Sequence, residues 1–105
     1  MEQRESVSKE RLEYREGLKE PKVFLVHVIN DDMTPFDFVV FLMMDVFGKS
    51  EEDGWMIADR THHHGKELVG RYSYDMAHTK VNKAVRLARE KGYPLNFTIV
   101  PEEKK

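Results

Sequence analysis

Five histidines occur in this chain, and three of them, His62, His63 and His64, are consecutive. Imidazole is a common metal ligand, so the run raises the question of a metal centre. Successive residues on a helix point about 100° apart, and three neighbours converge on one ion only if the helix has unravelled. The run therefore reads as a surface cluster, or as one functional histidine with two bystanders. A second group of polar residues, Asn30-Asp31-Asp32, precedes Thr34-Pro35. Turn chemistry alone explains aspartates at such a place. There is no cysteine, no glycine-rich phosphate loop, no nucleophile elbow and no His-Glu zinc motif, so the chain offers no assembled nucleophile or acid–base pair. The expectation is a protein that is not an enzyme and needs no metal or cofactor.

The elements that must carry these residues are legible. Val23 to Ile29 is a short, β-branched, apolar run between Pro21 and the polar Asn30-Asp31-Asp32, as a buried strand is bounded. Thr34-Pro35-Phe36-Asp37 should open a helix, with Thr34 as N-cap, Pro35 in the first position and Asp37 in the first turn. That helix, continuing to Phe47, is apolar on nearly every side, so it is either sandwiched in the core or presents a face to a ligand. Gly48 ends it, Ser50 caps a second helix running toward His64, and Gly65 suits its C-terminus. Glu67 to Tyr72 reads as a second strand. Ser73 caps a third helix with Ala77, Val81, Ala84, Val85 and Ala88 on one face. Gly92 and Tyr93-Pro94 turn the chain into a third strand, Leu95 to Val100. The order is βααβαβ, an α+β sandwich in which three helices cover a three-stranded antiparallel sheet.

A length of 105 residues with 40% hydrophobic content allows one core and tails. Residues 1–21, dense in alternating charge, read as a flexible extension and 22–102 as the folded domain. The net charge of −2 gives no footprint for nucleic acid. No apolar run approaches the roughly 20 residues that cross a bilayer, and the charged start lacks the apolar core of a secretory signal. With cysteine absent as well, the cytoplasm is the expected location.

Read together, Asn30-Asp31-Asp32-Met33-Thr34-Pro35, His62 and Gly65-Lys66 resemble the pattern of the ClpS adaptors: a strand, an Asn-Asp-Asp-aromatic-Thr-Pro turn, and later a His followed by Gly-Lys. The similarity continues without a gap through Thr79-Lys80-Val81, Ala88-Arg89-Glu90 and Tyr93-Pro94-Leu95. It implies an adaptor that recognises the free amino terminus and bulky first side chain (Leu, Phe, Tyr or Trp) of a substrate and passes it to an AAA+ unfoldase of the ClpA or ClpC type with the ClpP protease.

Carried over by position, the resemblance implies that Asn30, Asp31 and His62 contact the α-ammonium and first peptide group, while Asp32, Thr34, Phe36, Val39, Ala58 and Leu95 form an apolar pocket. It also implies docking on the unfoldase through Asp75 and Lys80 at the start of the last helix, with the N-terminal extension assisting hand-off. Two positions depart from the pattern. Ala58 stands where the family usually has Met four residues before its pocket histidine, and Phe36 where Met often follows Thr-Pro. A smaller Ala58 should deepen one wall, so that Ile and Val are excluded less strictly as first residues. Two other readings are a generic interaction domain of the same fold, similar to the C-terminal domain of the bacterial ribosomal stalk protein, and a small histidine-dependent metalloprotein.

Overall fold

The computed structural model describes residues 22–103, and the extension expected at 1–21 lies outside the described residues. The elements follow the expected order: β1 (Phe24–Ile29), α1 (Phe36–Asp45), α2 (Glu51–His64), β2 (Lys66–Tyr72), α3 (Tyr74–Glu90) and β3 (Asn96–Pro101). The sheet is antiparallel with strand order β2-β1-β3. The most apolar strand therefore lies in the centre, paired on both edges. Along β1 the fully buried Val26 and Val28 alternate with the partly exposed Leu25 and His27. Helices occupy the side to which the two valines point. A register shift between Val26 and His27 gives β2 one extra residue, Val69, which is buried. That bulge adds an apolar side chain to the core from an otherwise polar strand.

The longest helix, α3, packs across all three strands, while α2 lies against β2 and α1 packs on α2. Ala77, Ala84 and Ala88 of α3 are fully buried, small enough for the helix to lie close to the sheet. Helix α1 resolves the question raised by its all-round apolarity. It buries Val39, Val40, Leu42 and Met43 in the core and leaves Phe41 and Met44 exposed, and its first turn faces a pocket. The helix is thus packed into the core along most of its length and lines a cavity with Phe36 and Val39 at its start.

Caps define the helix ends. Ser50 accepts from the Asp53 amide at 3.0 Å and Ser73 from the Met76 amide at 3.2 Å, as expected. The start of α1 differs from expectation. Pro35 is extended and occupies the cap position itself, its carbonyl accepting from the amides of Phe38 and Val39. Thr34, expected as the cap, donates its hydroxyl to the Asp31 carboxylate at 2.6 Å. The charged acceptor wins over the weaker bond to a helix amide. The helix also ends at Asp45, before Phe47. The amides of Val46 and Phe47 both turn back to the Leu42 carbonyl, and Gly48 at φ 68° reverses the chain. Phe47 is freed to pack against Tyr72 and Phe97.

Two further turns place site residues. After α3, Gly92 at φ 81° lets the Tyr93 amide reach the Ala88 carbonyl, closing the helix in a Schellman motif. Arg89 then clamps the following loop, donating at 2.8 Å to the carbonyls of Tyr93 and Leu95 and to Asn96 Oδ1. After α2, Gly65 at φ 90° returns its amide to Thr61, and its carbonyl accepts from the Asn30 amide at 2.8 Å. An added Cβ at Gly65 meets nothing within 4 Å, so the demand there is conformational and not steric crowding. Gly65→Ala is expected to lower unfolding stability by about 1 kcal/mol through its left-handed backbone alone. A urea titration checks this, and an unchanged midpoint at unchanged slope would refute it.

Candidate functional site

The end of β1 and the end of α2 are joined by the Asn30 amide to Gly65 carbonyl bond, which sets the Asn30-Asp31-Asp32 turn beside His62. Within that turn Asp31 acts on its own backbone. Its Oδ2 accepts from the Met33 amide at 3.1 Å and from the Thr34 hydroxyl at 2.6 Å, while its carbonyl accepts from the Thr34 amide. An aspartate bonded in this way is a turn organiser with one carboxylate oxygen engaged. Asn30 directs its amide NH2 toward Asp32 Oδ1 at 3.4 Å, so its own carbonyl oxygen is left to accept.

Beside this turn lies a pocket of about 300 Å³. Asn30, Asp31, Asp32 and His62 form its polar side, and Pro35, Phe36, Val39, Ala58 and Leu95 its apolar side, with Thr34 and Thr61 between them. All nine residues assigned to the site from the sequence line this one cavity. They come from four separate segments: the turn after β1, the first turn of α1, the last two turns of α2, and the loop before β3. Leu95 is held in place through the Arg89 bond to its carbonyl. No lysine or arginine is among the described residues that line the cavity. Its polar side thus presents two carboxylates, an amide oxygen and an imidazole, a set rich in acceptors.

Two wall residues and one supporting residue were not anticipated. Pro35 carries only a helix-starting signal in the sequence. Thr61 sits in the polar run Asp59-Arg60-Thr61-His62 and carries no apolar signal. Its spacing from Ala58 is the clue, since residues three apart share a helix face. Trp55 lies outside the cavity but stacks on Phe36 with ring centroids 5.2 Å apart. Both rings are substantially exposed, Phe36 at 37% and Trp55 at 44%. The same three-residue spacing from Ala58 would have found Trp55. Ala58, which lines the cavity one helical step away from Trp55, is only 3% exposed.

The histidine run does not act as a unit. His62 lines the cavity, while His63 turns its Nδ1 to the Asp59 carbonyl at 2.9 Å. Their rings meet edge-on, 5.4 Å apart at 87°. Among the described residues no group of three or more His, Cys, Asp or Glu side chains is arranged to hold a metal ion. The two residues assigned to docking lie elsewhere on the surface. Asp75 is exposed in the first turn of α3, and Lys80 donates to the Val46 carbonyl at 3.2 Å with its ammonium 5.8 Å from the Tyr72 ring centre. Among the described residues no helix is long and apolar enough to cross a membrane.

Comparison with known proteins places this geometry. Residues 19–98 match the family model described as the ATP-dependent Clp protease adaptor protein ClpS. The adapter protein ClpS of Helicobacter hepaticus is 38% identical over 86 residues, covering 82% of this chain and 85% of that one. ClpS 2 of Rhizobium meliloti is 42% identical over the same length and coverage. Among solved structures, Agrobacterium tumefaciens ClpS2 bound to L-phenylalaninamide superimposes with a TM-score of 0.76 at 38% identity, covering 79% of this chain and all of that one (100%). With an acceptor-rich turn, its partner histidine and an apolar cavity on the matched segment, the chain belongs to the ClpS family of adaptors of the ATP-dependent Clp protease.

Proposed function

We propose that this chain binds the free α-amino group and bulky hydrophobic first side chain of a substrate protein, and delivers that protein to an AAA+ unfoldase of the ClpA or ClpC type working with ClpP. The observation that carries the reading is the acceptor-rich rim on an apolar cavity whose described lining residues include no lysine or arginine. An ammonium offers three donors. Asn30 Oδ1, Asp31 Oδ1 and a neutral His62 ring nitrogen can each accept one, the carboxylate bond being strengthened by charge. A Leu or Phe side chain buried alongside contributes a few kcal/mol at about 25 cal/mol per Å². The ligand of the Agrobacterium relative, L-phenylalaninamide, supports this reading, since it combines a free amine with a benzyl side chain. Docking is assigned to Asp75 and Lys80, the first freely exposed and the second already tied to the end of α1.

Fluorescence anisotropy of a peptide starting with Leu or Phe, beside its acetylated twin and a version starting with Gly, tests the binding step. Binding is expected only with both the free amine and the large side chain. Asp31→Ala should weaken it by about 30-fold, corresponding to a charge-assisted bond of about 2 kcal/mol. Equal binding of all three peptides would leave a generic interaction domain as the better reading.

Ala58 makes a separate prediction about the first residue. Peptides starting with Ile or Val should bind measurably, and Ala58→Met should reduce their affinity about tenfold by overfilling the wall. Ile and Val peptides at background with the parent protein would end this idea.

Acidification supplies a third check. Protonated His62 can no longer accept and puts a cation beside the substrate ammonium, so affinity should fall on acidification once the substrate amine is fully charged. His62→Ala should flatten that decline. A parallel decline in both proteins would rule out His62 as its cause.

A further inference from the structure

Among the described residues only two polar side chains are buried, Thr34 at 8% exposure and Thr61 at 3%, and both line the same cavity. Each has committed its single hydroxyl proton to an internal acceptor. Thr34 donates to Asp31 Oδ2 at 2.6 Å, and Thr61 to the Ile57 carbonyl one turn back along α2 at 2.7 Å. A hydroxyl has one proton and two lone pairs, so both oxygens are left as acceptors that cannot turn around to donate. Their places differ. Thr34 is coupled to the rim through Asp31, whereas Thr61 lies on α2 beside Ile57 and Ala58. Helical side chains lean toward the N-terminus of their helix, which sets the Thr61 hydroxyl over the turn that supplies the Ala58 wall.

We propose that Thr61 is a specificity-determining residue whose Oγ1 accepts a hydrogen bond from a donor on the first side chain of the substrate, foremost the indole N–H of tryptophan. The inference rests on the amino-terminal recognition proposed above and refines it. Indole is apolar over most of its surface and carries one donor, which costs free energy if it is buried without a partner. An aliphatic wall would impose that cost on tryptophan. A wall with one acceptor-only oxygen removes it, and it gives nothing to phenylalanine or leucine, which have no donor to offer. Fixing the hydroxyl on Ile57 also means that the acceptor is present before the substrate arrives, without a rotor to reorient.

The test compares two peptides that differ only in the first side chain, tryptophan and 3-benzothienylalanine, in which sulfur replaces the indole N–H and the shape is nearly kept. A phenylalanine peptide and its acetylated form accompany them. The parent protein should bind the tryptophan peptide about fivefold more tightly than its sulfur analogue, the ratio that a neutral hydrogen bond of about 1 kcal/mol produces. Thr61→Val, nearly isosteric and lacking the hydroxyl, should bring that ratio close to one, and Thr61→Ser should restore it. A ratio near one in the parent protein, or a ratio that survives Thr61→Val, overturns the proposal while phenylalanine binding leaves amino-terminal recognition standing. Failure of every free-amine peptide to bind overturns both. Because the ratio in the parent protein is itself decisive, the test does not depend on any variant folding.

Discussion

A backbone hydrogen bond from the Asn30 amide to the Gly65 carbonyl extends the β1–β2 pairing and joins the two halves of the polar rim of the cavity. One half is a turn at the end of the central strand and the other is the end of a helix, more than 30 residues later in the chain by their numbering. The bond is available because Gly65 adopts a left-handed conformation, ending α2 and aiming its carbonyl across the gap. Together with the β1–β2 pairing that ends at Ile29 and Lys66, it fixes the carboxylate and amide of the turn relative to the end of α2 that carries His62. The remaining parts of the site serve this junction. Asp31 stiffens the turn through Met33 and Thr34, Pro35 starts α1 beside it, and Arg89 holds Leu95 at the far wall.

Element order was legible because each boundary has its own local chemistry. Ser50 and Ser73 cap as their type suggests, Gly48, Gly65 and Gly92 all take positive φ, and the alanine stripe of α3 is buried. Thr34 was misread because a cap and a turn partner look identical in sequence. Which one forms depends on a carboxylate three residues earlier that outcompetes the helix amides. The early end of α1 was hidden for a similar reason. Phe47 continues the apolar pattern of the helix, yet its ring is used against Tyr72 and Phe97 from outside the helix. Periodicity reports that a residue is buried and leaves open whether it is helical when burial occurs.

That nine dispersed residues line one cavity was legible through family resemblance rather than spacing, since four distant segments contribute and no local pattern links Thr34 to Leu95. Resemblance left out two residues that the structure brings to the cavity or against its wall. Thr61 is buried and polar within a polar run, and Trp55 supports Phe36 from outside the cavity. Both lie at helical intervals around Ala58, whose small side chain gave no reason to look for bulky or polar neighbours.

The Arg89 clamp has a mechanical meaning. Helix α3 has 17 residues, a rod of about 25 Å. The proposed docking residue Asp75 stands at its first turn, and Arg89 grips the pocket wall from its last. The helix does not stand free, since it packs across all three strands along the way. The surface around Asp75 and the wall at Leu95 therefore belong to one rigid body, in which neither can be repositioned without disturbing the sheet between them.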